Sequence, residues 1–536
     1  MKSPDNPTAP SLLHSAGLVG IATMSSRILG LVRDQVFAYF FGAGNAMDAF
    51  NVAFRIPNLV RDLFAEGAMN AAFVPTFTRT LTREGKEAAW RLGNNVLNGL
   101  VLVTSAIVIC GVIFAWPLVT LFAAEYGQVE GKLELTVRLT QIMFPFLTLV
   151  AMAVACMGML NSLHRFFIPA LSPAMFNVGN IVCVVVLVPV MRRMGFQPVS
   201  AIAMGVLVGG LGQVLVQWPL LRREGFRYRP ILDPRDEGLR QILILMVPGT
   251  IGLAAVQINL FVNTVLATGE GTGAVSWLNY AFRIMYLPIG LMGVSVATAS
   301  LPAISRDAAR DDLVAMRGTI SRALRLVLVL NVPATFGLMA LAGPIVALLF
   351  ERGNFTPDDT AATASALWCY SPGLMGYCAV KIAAPSFYAL RDSKTPVCVS
   401  FLTVLVNIAL NVILVGWLSF RGLALGTGLA ALVNAGILLS LLGRRLRGLE
   451  GRSIAISFFK ILPASVLMAA AAFGTESGLR VILPGTSLAV QLVRVGSAIA
   501  AGILVLTGAA RALRIEEFNE AVGMVLRRLG RSSAGR

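Results

Sequence analysis

Apolar runs of about 20 residues recur along the chain with short polar breaks, the length a helix needs to cross a bilayer. They fall near residues 14–40, 46–78, 90–122, 134–160, 167–191, 199–220, 239–267, 274–304, 318–350, 360–389, 396–418, 422–443, 454–474 and 487–511. The pattern predicts an all-α polytopic membrane protein with about 14 transmembrane helices. One stretch departs from the uniform apolar pattern. From Phe41 to Pro75 a Gly-rich turn leads into a long helical pattern in which Asp48, Asn51, Arg55, Asn58, Asp62 and Glu66 recur every three or four residues. That spacing lines one face of a helix with polar groups. Among helices this apolar, a charged stripe needs a wet cavity to face.

Composition agrees with the membrane class. Of 536 residues, 56% are hydrophobic and 13% charged, where a soluble domain carries about 25% charged residues. Gly is plentiful, as close helix packing in lipid favours. The net charge of +17 would suggest nucleic acid in a soluble protein. Here the cations gather in alternate short loops, so topology explains them and no nucleic-acid partner is expected. The basic loops carry Arg79, Arg83, Lys86 and Arg91; His164 and Arg165; Arg222 to Arg240; Arg306 to Arg322; Arg391 and Lys394; and Arg444 to Arg452. The intervening loops, such as AAEYGQVEGKLE and ERGNFTPDDT, are poor in cations, with Arg192 and Arg193 the exception. Both termini are therefore expected in the cytoplasm. The polar, Pro-rich start does not read as a signal peptide. The six cysteines lack CxxC spacing and sit in apolar segments, and there are only two histidines. Neither set suggests a disulfide framework or a metal site.

The chain repeats itself. Pro75 and Pro302 are 227 positions apart (302 − 75), and so are Pro117 and Pro344, Pro145 and Pro372, Pro169 and Pro396, Arg79 and Arg306, and Asn180 and Asn407. AFRI at 53–56 returns at 281–284, one residue out of step. The displacement spans six of the expected helices, an even number, which makes the halves parallel repeats about an axis along the membrane normal. The expected organisation is a cytoplasmic tail (1–13), an N-lobe of six helices (14–222), a basic cytoplasmic linker (223–238) and a C-lobe of six (239–446). Two further helices (447–511) and a basic amphipathic tail (512–536) on the anionic inner leaflet complete it.

The repeat exposes an asymmetry of charge. Thr23, Ser26, Arg27, Gly30, Arg33 and Asp34 share a face of the first helix, whereas a shift of 227 sets Ala254 and Leu260 against Arg27 and Arg33. Arg55 and Arg61 in the second helix and Arg283 in the eighth extend the cationic set, and Lys381 lies deep in the tenth. Placing one arginine at the bilayer centre costs about 2.5–3.5 kcal/mol on insertion scales. Several together call for a water-filled cavity with an anionic occupant, and guanidinium groups suit a diphosphate through bidentate hydrogen bonds. The bland reading stays open beside this one: Arg33 with Asp34, and Arg61 with Asp62, as plain structural pairs. Pro57, Gly67, Pro75, Pro288, Gly290, Gly293 and Pro302 are candidate bends or ordinary packing and loop ends. Asn259, Asn263, Asn407 and Asn411 form a weak sodium candidate, with interhelical hydrogen bonding as the commoner role. No Walker motif or nucleophile–base arrangement occurs, and catalysis is not expected.

The run GAGNAMDAFNVAFRIPNLVRDLFAEGAMNAAFVP closely resembles the signature of the MurJ (MviN) family of lipid II flippases. SRILGLVRD at 26–34, WLNYAFRIMYLPIGLMGVSVATASLPAIS at 277–305 and KIAAPSFYALRDSKTPV at 381–397 resemble its first helix, its eighth, and its tenth-to-eleventh junction. The resemblance implies the fold of the multidrug/oligosaccharidyl-lipid/polysaccharide exporter superfamily, two six-helix lobes plus two helices that form a groove for a lipid tail. It implies transfer of the undecaprenyl-diphosphate-linked peptidoglycan precursor from the inner to the outer leaflet of the bacterial cytoplasmic membrane. By this resemblance Ser26, Arg27, Arg33, Asp48, Arg61 and Arg283 fall on functionally important positions, and Arg55 where a cation is common. Asp34, Glu66 and Lys381 are candidates for gating or coupling. Phe282 and Tyr286 depart from the polar or acidic residues common at their positions. Asn411 stands where sodium-binding members use Asp, which weakens or removes such a site. The expected partners are lipid II, membrane lipids and cell-wall synthesis proteins. No cofactor is expected beyond a coupling monovalent cation or the membrane potential. Rival readings are a flippase for another polyprenyl-diphosphate-linked oligosaccharide and a non-transporting scaffold of a wall-synthesis complex. A cation-coupled drug exporter would need cavity carboxylates, the opposite charge balance.

Overall fold

The computed structural model describes residues 9–62 and 68–518, with side chains described throughout except at 9–18, 68–71, 247–253 and 255. No strand occurs among the described residues. The helices in order are α1 (Ala9–Phe41), α2 (Asn45–Arg61), α3 (Ala68–Arg83), α4 (Lys86–Ile113), α5 (Ala115–Ala123), α6 (Lys132–Met143), α7 (Phe146–Ser162), α8 (Phe167–Arg193), α9 (Ser200–Arg223) and α10 (Glu237–Thr268). There follow α11 (Ala274–Pro288), α12 (Val294–Ala309), α13 (Leu313–Ala340), α14 (Ala342–Phe350), α15 (Pro357–Tyr370), α16 (Gly373–Ala389), α17 (Lys394–Leu418), α18 (Phe420–Arg445), α19 (Gly451–Ile482) and α20 (Leu488–Ala512). A π-helical turn, Ile289–Gly293, joins α11 to α12.

Among the described residues, 10 helical stretches are long and apolar enough to cross a membrane. The chain is a multi-pass membrane protein. The helix that carries the charged stripe, α2, stands outside those stretches, as do α1 and α3 on either side of it and the short α14, α15 and α16. The single long segment expected over 46–78 is described as two helices, α2 and α3.

The sequence displacement reappears in the helix boundaries. Lys86–Ile113 returns as Leu313–Ala340, Ala115–Ala123 as Ala342–Phe350, and Phe146–Ser162 as Gly373–Ala389, each end moved by the same 227 positions. The prolines explain the agreement. Pro145 and Pro372 are the N-caps of α7 and α16, and Pro117, Pro344, Pro169 and Pro396 sit in the first turns of α5, α14, α8 and α17. A missing N–H does no harm where the helix has no partner for it.

The chain forms two compact units: Met1–Ser276 with Arg352–Phe355, and Trp277–Glu351 with Thr356–Arg536. In the first, α1 packs on α8, α8 and α7 on α9, α4 on α7, and α10 on α3. Asn354 belongs with it, its N–H and Nδ2 donating to the Tyr39 and Phe40 carbonyls. The segment expected as a basic linker, 223–238, is strapped to α4. Asn94 receives the Arg229 N–H and donates to the Arg227 carbonyl; Asn95 does the same for Asp233; Asn98 donates to the Arg229 and Ile231 carbonyls. In the second unit, α17 and α16 pack on α18, α13 on α16, and α19 on both α13 and α20. Val329 and Val332 of α13, Ile461, Ala464 and Met468 of α19, and Leu506 and Ala510 of α20 make one buried cluster. The tail does not leave the bundle at once. Ile515 is buried in that cluster, and Glu517 accepts from Arg325 at 2.9 Å and Ser457 at 3.1 Å.

Small residues set the helix spacing. A Cβ on Gly179 of α8 would lie 2.6 Å from the Gly209 backbone of α9, so the two backbones touch where only hydrogen fits. Replacing Gly179 by Leu should cost about 1–3 kcal/mol through overpacking, read as a lower thermal unfolding temperature of the detergent-purified protein. Gly20, with open space around it, should accept Ala without that loss.

Candidate functional site

Two adjacent Arg–Asp dipeptides are built alike. Arg33 on α1 donates from Nε (3.1 Å) and Nη2 (2.8 Å) to one Asp34 carboxylate oxygen. Arg61 on α2 donates from the same two nitrogens at the same distances to one oxygen of Asp62. The structural pairing left open by the sequence is present at both places.

Their surroundings differ. Arg33 and Asp34 are buried. Arg33 Nη1 donates to Asn177 Oδ1 of α8 at 3.0 Å, and the guanidinium lies 5.6 and 5.7 Å from the ring centres of Phe37 and Phe176. Asn177 Nδ2 in turn donates to the Ser26 carbonyl at 3.0 Å. Ser26, Arg33 and Asp34 are thus joined through one asparagine of a neighbouring helix, which fixes the rotation of α1. Arg61 and Asp62 are only half-buried, and Asp62 also receives Asn58 and Gln257 Nε2 of α10, each at 3.4 Å.

Arg27 stands apart from both pairs. It is exposed and makes no hydrogen bond or ion pair among the described residues. Arg27 lies seven residues before Asp34, so on the same side of α1, but at an exposed level of the helix, beside exposed Ile28 and Met24. Arg55 is half-buried on α2.

Asp48, expected among the ligand-facing positions, is sealed inside the first unit at 0% exposure. Its two oxygens accept Lys132 Nζ (3.1 Å), Gly273 N–H (2.7 Å), Ser276 N–H (3.1 Å) and Ser276 Oγ (2.7 Å). The carboxylate therefore caps the first turn of α11 and neutralises a buried lysine. Lys132 is itself 3% exposed, its Nζ 4.0 Å from the Tyr126 ring centre. The sequence placed Lys132 in a cation-poor loop; it opens α6 and turns inward because Asp48 and an aromatic face together replace its water.

In the second unit Arg283 is exposed on α11. The departures Phe282 and Tyr286 stack on each other, and Phe282 meets Tyr370 and Tyr377 edge-on. Arg283 thus follows directly in sequence on a residue packed in an aromatic cluster. Lys381 is exposed on α16. Asn407 and Asn411 are buried on α17; Asn411 donates to Asn407 at 3.1 Å and Asn407 faces Thr427 of α18 at 3.5 Å, an interhelical polar contact. Asn259 and Asn263 lie half-buried on α10 in the first unit. Glu66 lies outside the described residues.

Residues 37–490 match the sequence profile of the family described as lipid II flippase MurJ. The chain belongs to the lipid II flippase MurJ family. A probable lipid II flippase MurJ of Vibrio cholerae serotype O1 is 36% identical over 434 residues, 80% of this chain and 82% of that one. A solved lipid II flippase MurJ in an inward closed conformation has a TM-score of 0.74 at 26% identity, covering 92% of this chain and 99% of its own. An inward-facing multidrug resistance MATE family transporter of the MOP superfamily has a TM-score of 0.66 at 17% identity, over 81% of this chain and 99% of its own, a likeness of fold alone.

The lipid II flippase MurJ family is one of transporters in peptidoglycan and cell wall biogenesis, not of enzymes. In this MurJ-family chain, sequence reasoning missed Asn177, Gln257, Lys132 and Ser276, the partners that hold the charged stripe. Each contacts its charge from more than 80 positions away in the chain, where helical periodicity carries no signal.

The Asp48–Lys132 pair should behave as a unit. Asp48→Asn strands a buried ammonium and should cost about 3–5 kcal/mol, measured by thermal unfolding. Adding Lys132→Met should restore a large part of that loss. A double variant as unstable as the sum of the single ones would mean the two side chains are not coupled.

Proposed function

We propose that the chain moves lipid II from the inner to the outer leaflet of the bacterial cytoplasmic membrane, both termini lying in the cytoplasm. Family membership supports the cargo. The observation that carries the site assignment is Arg27: an exposed guanidinium without a protein partner among the described residues, on a helix whose rotation is fixed by Arg33, Asp34 and Asn177. An arginine left unpaired on an apolar helix is stable only beside water or an anion. A diphosphate supplies the anion and the bidentate geometry.

In this reading Arg27 takes the diphosphate directly. Arg33, with three of its five N–H groups committed to Asp34 and Asn177, positions Ser26 and Arg27 and offers the remainder. Arg61 and Arg55 are the second-helix cations, and Arg283 joins the set through the family resemblance. Asp48 holds the α11 start in place and does not touch the cargo. The two six-helix lobes alternate in opening to the two sides, and the lipid tail stays in the membrane along α19 and α20. The inside-negative potential favours outward movement of an anion by about 2.3 kcal/mol per charge per 100 mV, which makes it sufficient as a driving force for a diphosphate without a bound cation.

Arg27→Ala should lower the amount of lipid II exposed on the outer face about tenfold or more, the loss of one charge-assisted bidentate contact, at unchanged protein level. Exposure equal to that of the unaltered protein would remove Arg27 from the site. Depletion should accumulate lipid II inside; accumulation of a different lipid-linked diphosphate would assign another cargo.

A further inference from the structure

The second unit contains a cavity of about 480 Å3 between α14, the start of α15, the end of α19 and the start of α20. Cavities of this size hold small ligands. Its charged lining has a definite order. Glu476, 4% exposed, forms an ion pair with Arg494, and that pair is the neutral floor of the cavity. Arg494 Nε is buried without a hydrogen-bond partner. Two charges remain: Arg480 of α19, exposed, and Glu351 at the end of α14, half-buried. Both line the same cavity, and neither makes a side-chain hydrogen bond or ion pair among the described residues.

A free cation and a free carboxylate that share a cavity without pairing to each other complement a ligand with both charges. A purely anionic ligand would be repelled by Glu351, and a purely cationic one by Arg480. The surroundings select an amphiphile. The cavity lies where two membrane-spanning helices end, Gly451–Ile482 and Leu488–Ala512. Val481 and Ile482 there are 82% and 73% exposed, and Leu488 and Leu492 are exposed beside them. Span ends lie at the depth of lipid headgroups. The apolar side chains would take acyl chains while the polar cavity takes the head.

We propose that this cavity binds the zwitterionic headgroup of a membrane phospholipid of the phosphoethanolamine type. The phosphate is met by Arg480, with the unpartnered Arg494 Nε beneath it, and the ammonium by Glu351. None of these residues belongs to the cationic set assigned to the transported diphosphate, and the assignment does not rest on that set.

The test uses full-length protein purified in detergent, stripped of lipid and titrated with phosphatidylethanolamine, phosphatidylglycerol or glycerophosphoethanolamine. Retained lipid is counted by native mass spectrometry and stabilisation by thermal unfolding. The unaltered protein should retain phosphatidylethanolamine in preference to phosphatidylglycerol. Arg480→Gln should weaken phosphatidylethanolamine binding about tenfold, the loss of one charge-assisted contact. Glu351→Gln should weaken it similarly and abolish the preference over phosphatidylglycerol. Neither side chain is part of the buried pair, and an unchanged unfolding temperature without lipid shows that each variant folds. Competition by glycerophosphoethanolamine at the same concentrations would support the headgroup chemistry and assign the site to a soluble ligand; its failure to compete assigns it to the intact lipid. Equal binding by both variants and the unaltered protein, or equal retention of the two phospholipids, would overturn the proposal.

Discussion

A charge carried into an apolar helical protein must find an opposite charge, a polar cradle or water, and most of this chain's polar architecture follows from that. The strictest case is Asp48, which has no exposed surface and satisfies its two oxygens with four donors. Arg33 with Asp34, Arg61 with Asp62, and Arg494 with Glu476 solve the same problem more locally. Such pairs rarely add stability over a well-packed apolar alternative, but they tolerate no loss of one partner. They therefore dictate which way each helix faces. Against that background an exposed cation such as Arg27 is informative, because no hydrogen bond or ion pair among the described residues holds it.

What could be read from the sequence was whatever repeats at short range. Apolar runs marked the membrane helices, and prolines marked where helices begin, so the displacement of Pro145 to Pro372 became the displacement of whole helices. The adjacency of Arg33 and Asp34, and of Arg61 and Asp62, made their pairing legible as one of two open readings. The rest was invisible for a physical reason. Lys132 has the look of a loop cation until Asp48, far away in the chain, is folded against it. Asn177 sits in an apolar run where no neighbour announces its bond to Arg33. The basic segment at 223–238 reads only as a linker because the amides that hold it, on Asn94, Asn95 and Asn98, are read in sequence as ordinary polar positions of α4.

The two repeat halves use the same helix for related tasks. In the first unit α4 grips the segment that follows α9 through Asn94, Asn95 and Asn98. In the second, its counterpart α13 grips the segment that follows α20, and Arg325, the repeat partner of Asn98, donates to Glu517. One half uses neutral amides and backbone carbonyls, the other an ion pair. Duplication supplied the surface, and divergence changed the bonding on it.

The π-helical turn at Ile289–Gly293 lies between α11, which carries Arg283, and α12. A widened turn stores one residue more than a regular helix holds in that length. Moving that surplus along the helix would rotate everything beyond it by about 100° without melting the helix. The side chains of α12 could thus exchange which face they present while the fold around them stays intact, a ready-made swivel just beyond Arg283.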